Sequence, residues 1–244
     1  MHSKKFNSIA VSVLATTLMA AASQAAGWNS INVPSLSSDY FTVAFGNLPD
    51  GRAIYGEHGN LYLQDSWGSA TFNAFANEPA PSDPSFIAVY DNSSAAMGQG
   101  GWGSSGVYSF DPDSTGSSFT SAGVTIQNYD GVIRDANSLY TAGTDTGASG
   151  NQHGVRFVTL DGSTNKIVID DVSTYSCGIA MHGDELYVGD NDNGEIYKFT
   201  KALLDSAIAG DPLSVTDGEF VANFGSGGNI SSIAVDANGV IWGA

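Results

Sequence analysis

GIAMHGDELYVGDNDNGEIYKF, residues Gly178–Phe199, holds three short apolar runs separated by two polar turns. Ile179-Ala180-Met181 and Leu186-Tyr187-Val188 flank Gly183-Asp184. The Asp/Asn-rich stretch Asp190–Gly194 then leads into Ile196-Tyr197-Lys198-Phe199. Runs this short, rich in β-branched and aromatic residues and bounded by Gly, Asp and Asn, read as strands. The alternation in the last run marks a sheet with one face packed on a neighbour.

The pattern recurs along the chain. Its other copies are Thr42–Glu57, Phe86–Gly100, Gly131–Gly143 and Ser232–Ala244. Val43, Ile87, Val132, Ile179 and Ile233 take the same place in each, at spacings of 44, 45, 47 and 54 residues. A period near 45 residues is the blade length of a β-propeller. Third strands follow at Asn60–Asp65, Gly106–Pro112, Gly154–Leu160 and Gly194–Thr200, and fourth strands at Thr71–Phe75, Ser118–Ile126, Lys166–Asp170 and Glu219–Phe224. The fold class is therefore all-β, a propeller with four complete four-stranded blades and a partial fifth, forming an incomplete ring. The 54-residue spacing has a local cause: Lys201–Ala209 (KALLDSAIA) reads as a helix inserted in blade four, started by Thr200 and stopped by Gly210. Leu203, Leu204 and Ile208 are expected to pack it on that blade's outer side. The fifth unit stops after two strands at Trp242-Gly243-Ala244, leaving open sheet edges. A C-terminally truncated propeller is expected, with on the order of 60–80 residues missing from a six-bladed ring. The run Trp28–Ser35 is expected as an extended arm available for closure.

Unit four resembles an NHL-type propeller repeat: Gly178-Ile179-Ala180-Met181, Leu186-Tyr187-Val188-Gly189-Asp190 and Glu195-Ile196-Tyr197-Lys198-Phe199 match that family's unit in order. Ser232–Ala244 matches its first half. The resemblance implies the propeller fold, but it implies function only loosely, because this superfold hosts scaffolds, binders, lactonases and lyases.

The chain has 244 residues, 8 Lys+Arg against 25 Asp+Glu, and a formal charge of −17. A field of that sign repels phosphate backbones, which argues against nucleic acid as a partner. Residues 1–26 read as a signal peptide, with Lys4 and Lys5 ahead of the apolar run Ile9–Ala22 and a small-x-small site at Ser23-Gln24-Ala25. The apolar run is too short to span a membrane. Residues 27–244 form the propeller, expected as an exported protein in the periplasm, outside the cell or on its surface. The one cysteine, Cys177, cannot form an intrachain disulfide and reads as a small buried residue.

Propeller sites lie at one mouth of the central channel, on the loops that enter first strands or join second to third strands. Asp39, Asp83, Asp130 and Asn229 fall at first-strand starts and are candidate binding residues, with solvated turn carboxylates as the plainer reading. Their oxygens suit a hard cation such as calcium. Trp102, in a Gly-rich loop of blade two, is a candidate sugar-stacking aromatic. Asp190 and Asp192 invite a metal reading, but the EF-hand spacing fails: Gly194 takes place five and Lys201 place twelve. Asp190 is instead expected to accept backbone N–H bonds within its turn. His58, His153 and His182 fall singly in three loops, without zinc-site spacing. No phosphate loop or Gly-x-Ser-x-Gly elbow is present. Two functions follow. The first is a secreted, acidic, non-catalytic module binding a protein or carbohydrate ligand at the channel mouth, with no cofactor. The alternative is a calcium-dependent lactonase or hydrolase of the six-bladed type, a family similar in fold whose ligands do not map here residue by residue.

Overall fold

The computed structural model describes residues 43–57, 60–66, 72–74, 84–100, 105–114, 118–145, 152–172, 178–190, 193–225 and 230–243. Sheet one contains β1 (Val43–Asn47), β2 (Ala53–Glu57), β3 (Asn60–Gln64) and β4 (Phe72–Ala74). Sheet two contains β5 (Pro84–Asp91), β6 (Ser94–Gln99), β7 (Gly106–Phe110) and β8 (Thr120–Ser121). Sheet three contains β9 (Gln127–Asp135), β10 (Ser138–Asp145), β11 (Gln152–Thr159) and β12 (Asn165–Asp170). Sheet four begins with β13 (Ile179–His182), β14 (Glu185–Asp190) and β15 (Glu195–Phe199). Helix α1 (Lys201–Ala209) and the short β16 (Leu213–Ser214) precede its last strand, β17 (Glu219–Asn223). β18 (Ile233–Val235) and β19 (Ile241–Gly243) make a two-stranded sheet. Within each sheet the strands follow chain order and pair antiparallel; β16 joins β12 in parallel.

First strands adjoin in sequence: β1 lies beside β5, β5 beside β9, β9 beside β13, and β13 beside β18. Each pair of neighbouring sheets encloses its own apolar core. Sheets one and two bury Ile54, Leu61, Ile87, Met97 and Phe110. Sheets two and three bury Phe86, Val107, Leu139 and Val158. Sheets three and four bury Tyr140, Val155, Phe157, Leu186, Val188 and Phe199. Ile196, Ile230, Ile233 and Val235 join sheet four to the last pair of strands. Strand alternation produces this arrangement, because each strand sends every second side chain to the sheet before it and the rest to the sheet after it. Among the described residues no helix is long and apolar enough to cross a membrane.

Three local expectations change. A bulge at Arg134 shifts the register between Ser138 and Leu139. A one-residue slip moves a side chain to the other face. Sheet two carries the same irregularities, at Ser85 and Tyr90, so the counterpart of Val132 is Ala88 and not Ile87: Val132 pairs with Tyr140 and packs toward sheet four, while Ile133, the counterpart of Val89, packs toward sheet two. The fourth strand of sheet two shrinks to Thr120–Ser121, because Gly123 turns the chain at φ +69°. Val124 and Ile126 stay buried without a ladder. Helix α1 keeps its expected bounds and its Thr200 cap, but it lies against β12 of sheet three. Leu204 and Ala207 join the core between sheets three and four. Arg134 holds the helix there, paired with Asp205 and stacked 5.2 Å from the Phe157 ring centroid. Lys166 Nζ donates to the Ile208 and Gly210 carbonyls at the helix end.

The inner strands approach too closely for side chains at some positions. A Cβ on Gly46 would sit 2.7 Å from Ile87 Cγ2, and one on Gly131 would run into the Phe86 ring. Gly131→Ala is expected to destabilise the fold by about 1–3 kcal/mol through overpacking. Urea unfolding of Gly131→Ala, Phe86→Leu and the double variant checks this: the smaller side chain should recover part of the loss, and strict additivity would place the clash elsewhere.

Candidate functional site

Call the upper end the one where first strands begin and second strands finish. A polar seam ties the first strands together there. Ser85 Oγ, on β5, donates to the Gly98 carbonyl at 3.1 Å and to the Asn128 carbonyl on β9. Asn128 is fully buried. Its Nδ2 donates to the Gly106 and Ile126 carbonyls at 3.0 and 2.8 Å, and its Oδ1 accepts from Thr141 Oγ1 at 3.0 Å. Asp130 continues the seam into sheet four: Oδ1 accepts from its neighbour Gly131 N at 2.8 Å and Oδ2 from Ile179 N at 2.9 Å. A second bulge in β9, at Tyr129, sets Asn128 and Asp130 for these bonds. Burial outweighs both backbone bonds and pushes the Asp130 carboxyl up to about 7.

The second polar group lies at the upper end of the seam between sheets three and four. Tyr140 pairs with Phe157 and Ala142 with Val155, all four in the shared core; the next rung on that face is Thr144 opposite His153. Thr144 Oγ1 and His153 Nδ1 lie 2.8 Å apart. From the other side, Leu186 pairs with Phe199 and Val188 with Tyr197 in the same core, and the next rung is Asp190 opposite Glu195. Asp190 is only 4% exposed. Its Oδ2 accepts from Asn193 Nδ2 at 2.6 Å, while its buried Oδ1 has no hydrogen-bond partner among the described residues. Glu195 accepts from Tyr197 Oη at 2.5 Å and from Asn223 Nδ2 at 3.2 Å. That bond to Glu195, reinforced by burial, raises the Tyr197 hydroxyl to about 12, so it stays a donor. Beside the Thr144–His153 rung a cavity of about 480 Å³ opens between Gln152–His153 and Asp170–Val172.

Several sequence expectations change here. Asn128, Tyr129 and Asp130 lie inside β9, not in a loop, and Asp130 bonds backbone N–H groups instead of standing as a solvated turn carboxylate. His153 and His182 are strand residues. Asp190 bonds the Asn193 side chain; the turn's backbone bond runs from Gly194 N to the Asp190 carbonyl. Asp39, Asp83, Trp102, Asn229 and Asp192 lie outside the described residues, as do Cys177 and His58. Among the described residues no three His, Cys, Asp or Glu groups converge as a metal ion needs. The Thr144–His153 and Asp190–Glu195 rungs escaped the sequence reading. A signal was present: second strands close on Gly98-Gln99, Gly143-Thr144 and Gly189-Asp190, a glycine followed by a polar residue that the fold then buries.

No family model matches the chain, and no curated protein sequence matches it. Solved structures similar to it include hydrazine synthase of Kuenenia stuttgartiensis, with a TM-score of 0.56 and 15% identity over 82% of this chain and 67% of that one. YCF48 bound to D1 peptide gives a TM-score of 0.49 at 9% identity, over 87% and 67% of the two chains. A nidogen/laminin complex gives 0.43 at 11% identity, over 67% and 76%. With antiparallel sheets stacked face to face and their first strands side by side, the chain is a β-propeller. At these identities the likeness concerns the fold alone.

Asp130 carries a pH dependence. Its folded pKa lies above the unfolded value, so its contribution is fully present below about pH 4 and lost as pH rises through about 7. The stability difference between the natural protein and Asp130→Asn, measured by urea unfolding from pH 4 to 8, should shrink by a few kcal/mol in that window and level off above it. A difference independent of pH would place the carboxyl in contact with water.

Proposed function

We propose that the chain is an exported, non-catalytic propeller that binds a polypeptide at the upper end of its sheets. The observation that carries this is the cavity of about 480 Å³ at the upper end of sheet three, beside the Thr144–His153 rung. Export is supported by the basic, apolar and small-residue order of residues 1–26. We read the four-stranded sheets as four blades and β18–β19 as the start of a fifth, and the units at Gly178–Phe199 and Ser232–Ala244 as NHL-type repeats. A surface of this kind suits extended chains, since a propeller presents its loops and strand ends on one face.

The test is a screen of the full chain against a peptide display library and a glycan array, with enriched ligands retested by calorimetry. Peptides are expected to bind, and Gln152→Trp, which fills the cavity rim, should weaken them at least tenfold. Binding of glycans alone would turn the assignment to a lectin-like module. Calcium-dependent hydrolysis of a lactone by the same preparation would contradict the non-catalytic reading.

A further inference from the structure

Among the described residues, sheet five is narrower than the sheet it packs on. Sheet four is four strands wide, and β18–β19 cover its inner half, with β18 against β13 and β14. The outer half of that face carries Val221 of β17, which is part-buried, and Phe224 just past the end of β17, which is 52% exposed. Phe224 N donates to the Gly194 carbonyl at 2.7 Å, and its ring reaches toward β19, where a Cβ on Gly243 would sit 3.4 Å from Cζ. The step between β19 and this outer half is a ledge with an apolar floor.

β19 turns an open edge to the ledge. Asp236 N donates to the Val240 carbonyl at 3.0 Å. Backbone groups alternate sides along a strand, so those of Trp242 turn to β18 and those of Ile241 and Gly243 turn outward. Among the described residues no strand pairs with β19 on that side. Trp242, paired with Ala234, holds the rung that Tyr187, paired with Ala180, holds in sheet four. Tyr187 is buried against sheet five, whereas Trp242 is 41% exposed.

The four-stranded sheets show what fits such an edge. Each has a third strand on the outer edge of its second. β7 lays Tyr108 and Phe110 on sheet one, and β15 lays Tyr197 and Phe199 on sheet three: two apolar side chains separated by one residue. We infer that the ledge beside β19 takes an extended segment of a separate polypeptide, which adds as a third strand and sets two apolar side chains, at i and i+2, over Val221 and Phe224. Main-chain bonds to Ile241 and Gly243 hold the segment, and its alternate side chains select it. A second copy of this chain is a poor occupant. Paired antiparallel through β19, two copies would drive their fourth sheets into the same space, because each reaches past β19 on the same side. Both copies also carry a formal charge of −17. The ledge stands apart from the cavity on sheet three and does not rest on the ligand proposed there.

The probe is a dye-labelled synthetic peptide copying Gly194–Thr200, GEIYKFT, a third strand with Tyr and Phe at i and i+2. It is titrated into the full chain beside two controls, one with Ser for both rings and one methylated on alternate backbone nitrogens. Both controls are expected to bind at least tenfold more weakly, and the Ile241 and Gly243 amides should gain hydrogen-exchange protection with the probe. Phe224→Ser should weaken the probe at least threefold. Phe220→Ser, whose ring packs on Tyr197 on the opposite face of sheet four, should leave it unchanged, as should Gln152→Trp at the cavity. Both rings are half-exposed, and circular dichroism confirms that the variants fold. No binding up to millimolar probe, equal affinity for the three peptides, or unchanged exchange at Ile241 and Gly243 overturns the inference. Loss of the probe on Gln152→Trp moves the peptide to the cavity and overturns the ledge. Binding that appears only after residues 28–35 are deleted overturns it in favour of the chain's own N-terminal run, and dimerisation that displaces the probe overturns it in favour of a second copy.

Discussion

The close approach of successive first strands is the constraint on which the molecule depends. Each inner four-stranded sheet has two apolar faces and is stabilised by packing a sheet against each. That stacking needs inner strands near enough for backbone atoms of one sheet to meet side chains of the next. Gly46 and Gly131 remove the Cβ atoms that would hold them apart. Ser85, Asn128 and Asp130 then tie backbone groups across the gap, so buried polar atoms are satisfied where the strands come together. The four apolar cores follow from this spacing.

The same geometry produces the candidate site. Strand alternation carries each core upward rung by rung until the side chains change from apolar to polar. Between sheets three and four the change comes at Thr144–His153 and at Asp190–Glu195, the rungs that follow Ala142–Val155 and Val188–Tyr197 of the shared core, so these side chains are fixed by the ladder and by the packing below them. Groups fixed in this way lose little freedom when a ligand arrives. The helix adds rigidity from below: Arg134, Lys166 and the apolar face of α1 clamp the outer part of sheet three against sheet four.

Much of the fold was legible in the sequence. The 45-residue rhythm located the strands of all the sheets, because short alternating runs between Gly, Asp and Asn turns leave few other solutions. Thr200 and Gly210 bounded the helix. Register was not legible. Bulges recur at Ser85 and Tyr90 of β5 and at Tyr129 and Arg134 of β9, and with the rungs so counted Val132 answers to Ala88, one place away from the alignment that the hydrophobic pattern suggests. The helix's docking on sheet three depended on Arg134 and Lys166, residues distant in sequence from Lys201–Ala209. The site was legible only in part. Asp190 stood out by composition and Asp130 by position, but pairing across strands made His153 a neighbour of Thr144 and Asp190 a neighbour of Glu195. Rungs of that kind form from residues 9 and 5 positions apart once register is fixed.

The central claim is that ligand contact concentrates at the upper end of the third and fourth sheets. Site-specific photo-crosslinking tests it most directly. A benzophenone side chain at Gln152, on the cavity rim, should capture a bound peptide, whereas the same group at Ser163, in the turn at the opposite end of sheet three, should capture none. Equal capture from both positions, or capture from Ser163 alone, would contradict the account.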